Sequence, residues 1–498
     1  MGTDPIYPSH SFAKWGLSPF ISGAAAVPAF APIGFFPIAL LAFAWLAHLW
    51  ANASPRRAFW TGFAFGIGLF GAGVSWVYVS LSQFGGMPPP LAALATFLFC
   101  ALLAAFTGGA GWLQARVPAS EPVRVALLIP ASWTLFEWLR SWVFTGFPWL
   151  AAGYATTGWP LQGFAPLFGV FGASVLVVSL AGMLWWFARR RRALALAPIA
   201  LVLLAGQALR AVDWTSPLGE PVGVALLQGN VGQEMKFRPE HYARTLETYA
   251  RLVEETSARL VVLPETALPQ FLDRIEAEYL ARLEAAARRN GGDLLVGVPT
   301  RSARGEYYNS VISLGTAPRQ VYHKGHLVPF GEFVPPLFGW VMNWLKIYLG
   351  DFARGGPEQP PLAVAGQRVA INVCYEDAFG DAIGAAARDA TLLANLSNVA
   401  WFGDSLAPAQ HLQIAQLRAI ETGRAHLAAT NTGITAAIGR DGAVLAQLPQ
   451  FTEGRLEIAV QGYTGTTPYM RILDWPVIAL CLVLLCGPAL VAWRRQRR

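Results

Sequence analysis

Ile371-Asn372-Val373-Cys374-Tyr375-Glu376-Asp377 reads as an apolar strand that delivers a cysteine to a turn, with a helix expected over Asp377–Arg388. A cysteine at a strand-to-helix turn sits beside unpaired backbone N–H groups. Those groups and the helix dipole are expected to favour a thiolate and to bind an oxyanion. Two other strand ends carry reactive side chains. Leu263-Pro264-Glu265-Thr266 ends a strand at Pro264 and presents Glu265, a candidate acceptor for the thiol proton. Tyr322-His323-Lys324-Gly325-His326 leads through Leu327-Val328-Pro329-Phe330-Gly331 to Glu332. There Lys324 is placed to stabilise charge on a tetrahedral intermediate.

Around these ends the pattern is that of an α/β domain. Val222–Leu227, Leu260–Leu263, Leu294–Val298, Asn309–Leu314, Val369–Val373 and Leu392–Leu396 are short apolar runs bounded by turn residues. Pro239–Ser257, Leu272–Asn290 and Leu406–Gly423 have helical spacing. Buried strands alternating with amphipathic helices predict sheets covered by helices.

The flanking sequence is of another kind. Of the 498 residues, 54% are hydrophobic and 13% charged, about half the charge of an ordinary soluble domain. Ala58–Ala115 contains no Asp, Glu, Lys or Arg, which is room for two spans of about 20 residues each. Further apolar runs are Leu17–Trp50, Val123–Val143, Gly163–Ala188, Ala193–Ala211 and Leu473–Trp493. The net charge of +7 belongs to these parts: residues 1–210 carry 11 basic and 3 acidic side chains. It therefore reports topology, not an anionic ligand, and no nucleic-acid partner is expected. The basic clusters are Arg56-Arg57, Arg116 with Arg124, Arg189–Arg192 and Arg494–Arg498. They fall on one, cytoplasmic side if seven spans precede an outside domain and one follows it. Eight spans are thus expected, with Leu17–Trp50 readable as one span or two. The domains are residues 1–212, 213–470 and 471–498. No cleavable signal peptide is evident.

A lone cysteine at a strand end is usually a small buried hydrophobe. Cys100, Cys481 and Cys486 lie in apolar runs. The spacing of His323, His326 and His411 matches no common metal site, so no metal is expected. Residue pattern alone thus reaches a membrane-anchored α/β domain with a candidate thiol site.

In their local sequences, Glu265, Lys324 and Cys374 resemble the Glu-Lys-Cys triad of the nitrilase superfamily. Asn395–Ser405, Gln410–Arg424 and Thr430-Asn431-Thr432-Gly433 are similar to that superfamily's sequence after the nucleophile. A nitrilase-like domain bracketed by spans resembles the apolipoprotein N-acyltransferase family. Phe136-Glu137-Trp138-Leu139-Arg140, Phe144–Leu150 and His326–Glu332 look like its signatures. Val399, Phe237 and Ala428 depart from its commoner residues (Asp, Trp and a basic residue), and none belongs to the triad.

The resemblance implies an α-β-β-α sandwich and a bacterial inner-membrane enzyme with a periplasmic catalytic domain. It implies transfer of the sn-1 acyl chain of a phospholipid, typically phosphatidylethanolamine, to the α-amino group of an S-diacylglyceryl-cysteine apolipoprotein. The reaction runs through a thioester, ping-pong, without a cofactor. Glu265 is then the base and Cys374 the nucleophile. Lys324 and the backbone N–H of Tyr375 hold the oxyanion. Glu332 keeps Lys324 charged and oriented or assists proton transfer. Glu376 lends similar support or compensates a helix dipole. Phe333–Leu349, with Trp340 and Trp344, reads as an interfacial arm or lid. With Phe237 and Trp149 it supplies the candidate substrate contacts. Glu137 and Arg140 share a helix face, as a functional pair or a structural one. A monomer is expected. The rivals are a membrane-tethered amidase acting on a small amide or nitrile, and a non-catalytic transporter or scaffold.

Overall fold

The computed structural model describes residues 11–191, 196–236, 238–334 and 351–496. They form two compact units, one of residues 1–164, 170–210 and 474–498, the other of 165–169 and 211–473.

The first unit is helical: α1 (Ser11–Ala25), α2 (Pro37–Trp50), α3 (Pro55–Gly73), α4 (Pro89–Arg116), α5 (Ile129–Arg140), most of α6 (Ala165–Arg190), α7 (Leu196–Leu209) and, after the second unit, a helix at Trp475–Gln496. The run Leu17–Trp50 is broken, α1 and α2 being separated by a 3-10 turn at Val27–Ala29. Small residues let α3 and α4 touch. A Cβ on Gly66 would lie 2.7 Å from the Ala104 Cα, and Thr107 Oγ1 donates to the Gly62 carbonyl at 2.8 Å. Close backbone approach of this kind is how apolar helices associate without a hydrophobic driving force.

Among the described residues two helices, Pro89–Arg116 and Pro160–Arg190, are long and apolar enough to cross a bilayer. A third qualifies if Pro55–Gly73 and Val77–Phe84, bent by 59°, count as one span. Gly16–Ala29, Pro37–Trp50, Leu196–Leu209 and Trp475–Pro488 are apolar but shorter. The expected count of eight rested on apolar runs. Several of those runs fold as helices well short of the ~20 residues that a perpendicular span requires.

Glu137 and Arg140 are both buried. Glu137 accepts from Trp133 Nε1 at 2.6 Å and the Ala152 N–H at 2.8 Å, and Arg140 donates to the carbonyls of Phe147 and Trp149. Together they pin the 147–152 segment, a structural use of buried charge.

The second unit holds two six-stranded sheets. One has the order β12-β1-β2-β3-β4-β5: β1 (Ser216–Gln228), β2 (Leu260–Val262), β3 (Asp293–Arg301), β4 (Tyr307–Gly315), β5 (Val321–His323) and β12 (Gly454–Thr464). The other has the order β11-β10-β9-β8-β7-β6: β6 (Leu362–Val364), β7 (Gln367–Val373), β8 (Leu392–Ser397), β9 (Ala425–Thr430), β10 (Ala436–Ile438) and β11 (Val444–Gln447). The central strands, β1-β2-β3 and β7-β8-β9, are parallel.

Successive side chains on a strand face opposite ways, which explains why these strands are apolar throughout. Val222, Val224 and Leu226 of β1 enter a core shared with Val369, Ile371 and Val373 of β7 and Ala394 and Leu396 of β8. Ala225 and Leu227 instead meet Leu246, Tyr249 and Val253 of α8 (Pro239–Glu254) and Leu283 and Ala286 of α9 (Ala277–Arg289). On the outer face of the second sheet, Leu393 packs with Ile383 of α10 (Gly380–Ala386). Ala436 and Ile438 pack with Ala415 and Ala419 of α11 (Ala407–Thr422). The layers are helix, sheet, sheet, helix.

One local element differs from expectation. The helix predicted over Asp377–Arg388 is confined to α10, and Cys374–Ala378 is a 3-10 turn. The Glu376 carboxylate accepts the Val373 N–H at 2.7 Å and so folds this turn back on the strand it leaves.

Candidate active site

Glu265 lies two residues beyond Leu263, Lys324 directly follows β5, Cys374 directly follows β7, and Asn398 directly follows β8. The carboxyl ends of parallel strands are where open α/β sheets bind ligands. Glu265 Oε1 accepts from Asn309 Nδ2 at 2.7 Å and from Lys324 Nζ at 3.4 Å, while Oε2 accepts from the Asn398 N–H at 2.9 Å. Glu332 meets the same two donors: Oε1 lies 2.8 Å from Asn309 Nδ2 and 3.0 Å from Lys324 Nζ. Its Oε2 accepts from the Val328 N–H at 2.8 Å. Two carboxylates are thus bridged by one ammonium and one amide.

This geometry sets the charges. Burial works against the Lys324 ammonium, but Glu332 and then Glu265 hold it well above the usual lysine range. Burial alone would raise the Glu265 carboxyl. Lys324, the Asn309 hydrogen bond, Lys236 and the Asn398 N–H outweigh it and keep Glu265 below the ordinary carboxylate range.

Cys374 is half-buried and has φ of +54°, in the left-handed region. A non-glycine residue there carries strain of about 1–3 kcal/mol and must be held. Two donors hold its carbonyl, Asn395 Nδ2 at 3.0 Å and His411 Nε2 at 3.2 Å. A carbonyl only accepts, so His411 carries hydrogen on Nε2. The expected thiolate preference is not met: burial pushes the thiol up to about 12, Glu265 adds to the rise and Lys324 opposes it. A short 3-10 turn lacks the dipole of a helix, and desolvation wins. Cys374 therefore rests as a thiol near the ionised Glu265 carboxylate.

Glu376 is buried and takes four donors: the N–H groups of Gly325 (2.7 Å), His326 (2.9 Å) and Val373 (2.7 Å), and Tyr322 Oη (2.9 Å). It fastens the segment after Lys324 to the Cys374 turn and, through the Val373 N–H, also caps the start of that 3-10 turn. Burial raises its carboxyl, while the backbone donors and Lys324 lower it. Tyr375 is half-buried, its ring 5.8 Å from His326 and 5.2 Å from Phe379.

The structure thus brings together Glu265, Lys324, Cys374, Glu332 and Glu376. Phe333 is half-buried, with the Arg354 guanidinium 5.2 Å over its ring. Trp149 belongs to the helical unit, buried beside Trp76 and Phe147. Phe237, Trp340 and Trp344 lie outside the described residues. Among the described residues no three His, Cys, Asp or Glu side chains converge to hold a metal ion.

Sequence reasoning gave no individual role to Lys236, Asn309, Asn395 or Asn398, although the last two lie in the run Asn395–Ser405 that resembles the superfamily. Asn309 and Asn395 left a signal, as amides inside apolar strands, where a buried polar group requires a partner. Lys236 and Asn398 sit on connecting segments, where a polar side chain stands out from no apolar pattern.

A cysteine, a carboxylate and a lysine at the strand ends of a helix-covered double sheet are the arrangement of the carbon–nitrogen hydrolase class. Residues 223–469 match the family model described as carbon-nitrogen hydrolase. Residues 22–183 match the model of the apolipoprotein N-acyltransferase N-terminal domain. The chain is 48% identical to apolipoprotein N-acyltransferase of Nitrosomonas europaea, covering 97% of this chain and 98% of that one. It is 46% identical to the Chromobacterium violaceum enzyme of that name (96% and 94% covered), and 45% identical to that of Methylococcus capsulatus (94% of each). The chain belongs to the apolipoprotein N-acyltransferase family.

Proposed function

We propose that this chain transfers an acyl chain from a membrane phospholipid to the N-terminal amine of an S-diacylglyceryl-cysteine apolipoprotein, the last step of bacterial lipoprotein maturation. The observation that carries this reading is Cys374 at a strand end with Glu265 and Lys324, in a chain similar along its length to enzymes of that name.

As Cys374 Sγ attacks the ester carbonyl of the sn-1 chain, its proton passes to Glu265. The large gap between the two acidities means that transfer accompanies attack and does not precede it. Lys324, locked between two carboxylates, faces the developing oxyanion together with the Tyr375 N–H. Collapse breaks the ester C–O bond. The lysophospholipid alkoxide takes the proton from Glu265, leaving a thioester on Cys374. The lipoprotein amine attacks the thioester, Glu265 accepts its proton, and the departing thiolate is reprotonated. The two substrates use one site in turn, which is ping-pong behaviour. Glu332 and Glu376 position Lys324.

The proposal includes phosphatidylethanolamine as donor, a monomer, and eight spans. Residues 1–212 and 471–498 lie in the inner membrane, and 213–470 face the periplasm as the catalytic domain. The basic clusters support that orientation. The arm expected over Phe333–Leu349 lies, from residue 335 onward, outside the described residues.

Intact-protein mass spectrometry after incubation with phospholipid tests the reading. A single acyl adduct is expected on Cys374, stable in water and discharged by a diacylglyceryl-cysteine peptide. An adduct that water discharges equally fast would favour the amidase, and no adduct would favour a scaffold.

A further inference from the structure

The site holds a second buried lysine. Lys236, in the turn that follows β1, is buried, and its Nζ donates to the Glu265 carbonyl oxygen at 3.0 Å. Among the described residues this is its one hydrogen-bond acceptor, and no carboxylate lies within ion-pair distance of it. Lys324, by contrast, is shared by two carboxylates. A tether to a carbonyl needs no charge, and a neutral donor would supply it with far less desolvation. An ammonium kept here without a direct counter-ion therefore implies that its charge is used.

The charges around Glu265 indicate how. Lys324 and Glu332 face it from the chain after β5, Cys374 from the end of β7, and His411 from α11. On the segment of Lys236 itself, Glu234 and Arg238 are exposed. Glu265 and Glu332 thus present two negative charges to the single positive charge of Lys324, which Glu376 also faces, and Lys236 adds a second positive charge on the Glu265 side. We propose that Lys236 is a positioning residue for Glu265, tying down the main chain at that residue and supplying the positive charge that keeps its carboxylate ionised as a base. In support, burial brings Lys236 down to about 8 while Glu265 and then Cys374 oppose the fall, so the ammonium remains charged near neutral pH.

The inference rests on the reading of Cys374 as nucleophile and Glu265 as base. Its test is the pH dependence of acyl-enzyme formation by the full-length enzyme in phospholipid nanodiscs, followed by intact-protein mass spectrometry. The acid limb reports ionisation of the base. In Lys236→Met the limb is expected to move up by about one pH unit, a tenfold loss on the acid side, because a close opposite charge shifts a carboxylate by ~1–3 units. Lys236→Gln keeps a donor for the carbonyl without the charge and should move the limb as far, so the test does not depend on the Met variant folding. Lys236→Arg should leave it near the wild-type position. Loss of rate at every pH with the limb unmoved in Lys236→Gln would reduce Lys236 to a tether and overturn the proposal. Glu265→Gln and Cys374→Ala run alongside. An acid limb that survives the first, or an adduct that survives the second, removes the catalytic reading and this proposal with it.

Discussion

Asn309→Asp is the most informative single change, because it keeps shape and alters one functional group. Asn309 Nδ2 lies 2.7 Å from a Glu265 oxygen and 2.8 Å from a Glu332 oxygen. Both neighbours accept, so the atom between them must donate twice. An aspartate there sets oxygen against oxygen on two sides, with Lys324 as the adjoining cation. Two like charges ~4 Å apart repel by about 4 kcal/mol at an effective dielectric of 20. Two such pairs cost more than the fold can absorb, so the variant binds a proton instead. If the folded pKa of the new carboxyl rises from ~3.9 to ~7, the difference of about 3 units is worth about 4 kcal/mol. The group's folded pKa is raised. The variant should therefore match the wild type at pH ~4, lose stability as pH rises above that unfolded value, and reach its full deficit near pH 7. For a domain of this size that deficit is roughly 10 °C in apparent Tm. Thermal unfolding of both proteins across this pH range measures it. A deficit of equal size at pH 4.5 and pH 8 would refute the two-carboxylate bridge. Transfer activity at neutral pH should fall as well, because the proton is shared with Glu265.

Gly297→Ala should displace Glu265 without touching it chemically. The added Cβ would lie 2.3 Å from the Pro264 carbonyl oxygen and 2.8 Å from the Glu265 Cα, both backbone atoms that cannot swing aside. We expect ~1–3 kcal/mol of destabilisation and about a 100-fold loss of transfer, and unchanged kinetics would mean the turn yields freely. Cys374→Ser should abolish the acyl adduct with Tm preserved, since Glu265 cannot overcome the higher pKa of a hydroxyl. Near-normal turnover would point to another nucleophile. A reporter fused after Arg192 should be cytoplasmic and one fused at Ser302 periplasmic, and a cytoplasmic reporter at Ser302 would reverse the proposed orientation.

The sequence by itself determined what depends on neighbours along the chain. Strands unbroken by polar residues, such as Val222–Leu227 and Leu260–Leu263, can only be buried on both faces. That requirement dictates a sheet covered on both sides; that helices cover one side and a second sheet the other was implied by the family resemblance and is what the fold shows. The reactive types were legible too, because Glu265, Lys324 and Cys374 each interrupt the pattern where a strand stops. The tertiary structure decided what depends on distance across the fold. Glu265 is 133 residues from Asn398, whose N–H it accepts, and 44 from Asn309. Only the strand order puts those positions at one end of the two sheets. It also reversed one local inference. A cysteine at a strand end reads as an activated thiolate, whereas burial beside Glu265 keeps it a thiol. Desolvation and the sign of the nearest charge are properties of the assembled site. No window of sequence around Cys374 contains them, just as none around Lys236 shows that its ammonium lies against Glu265.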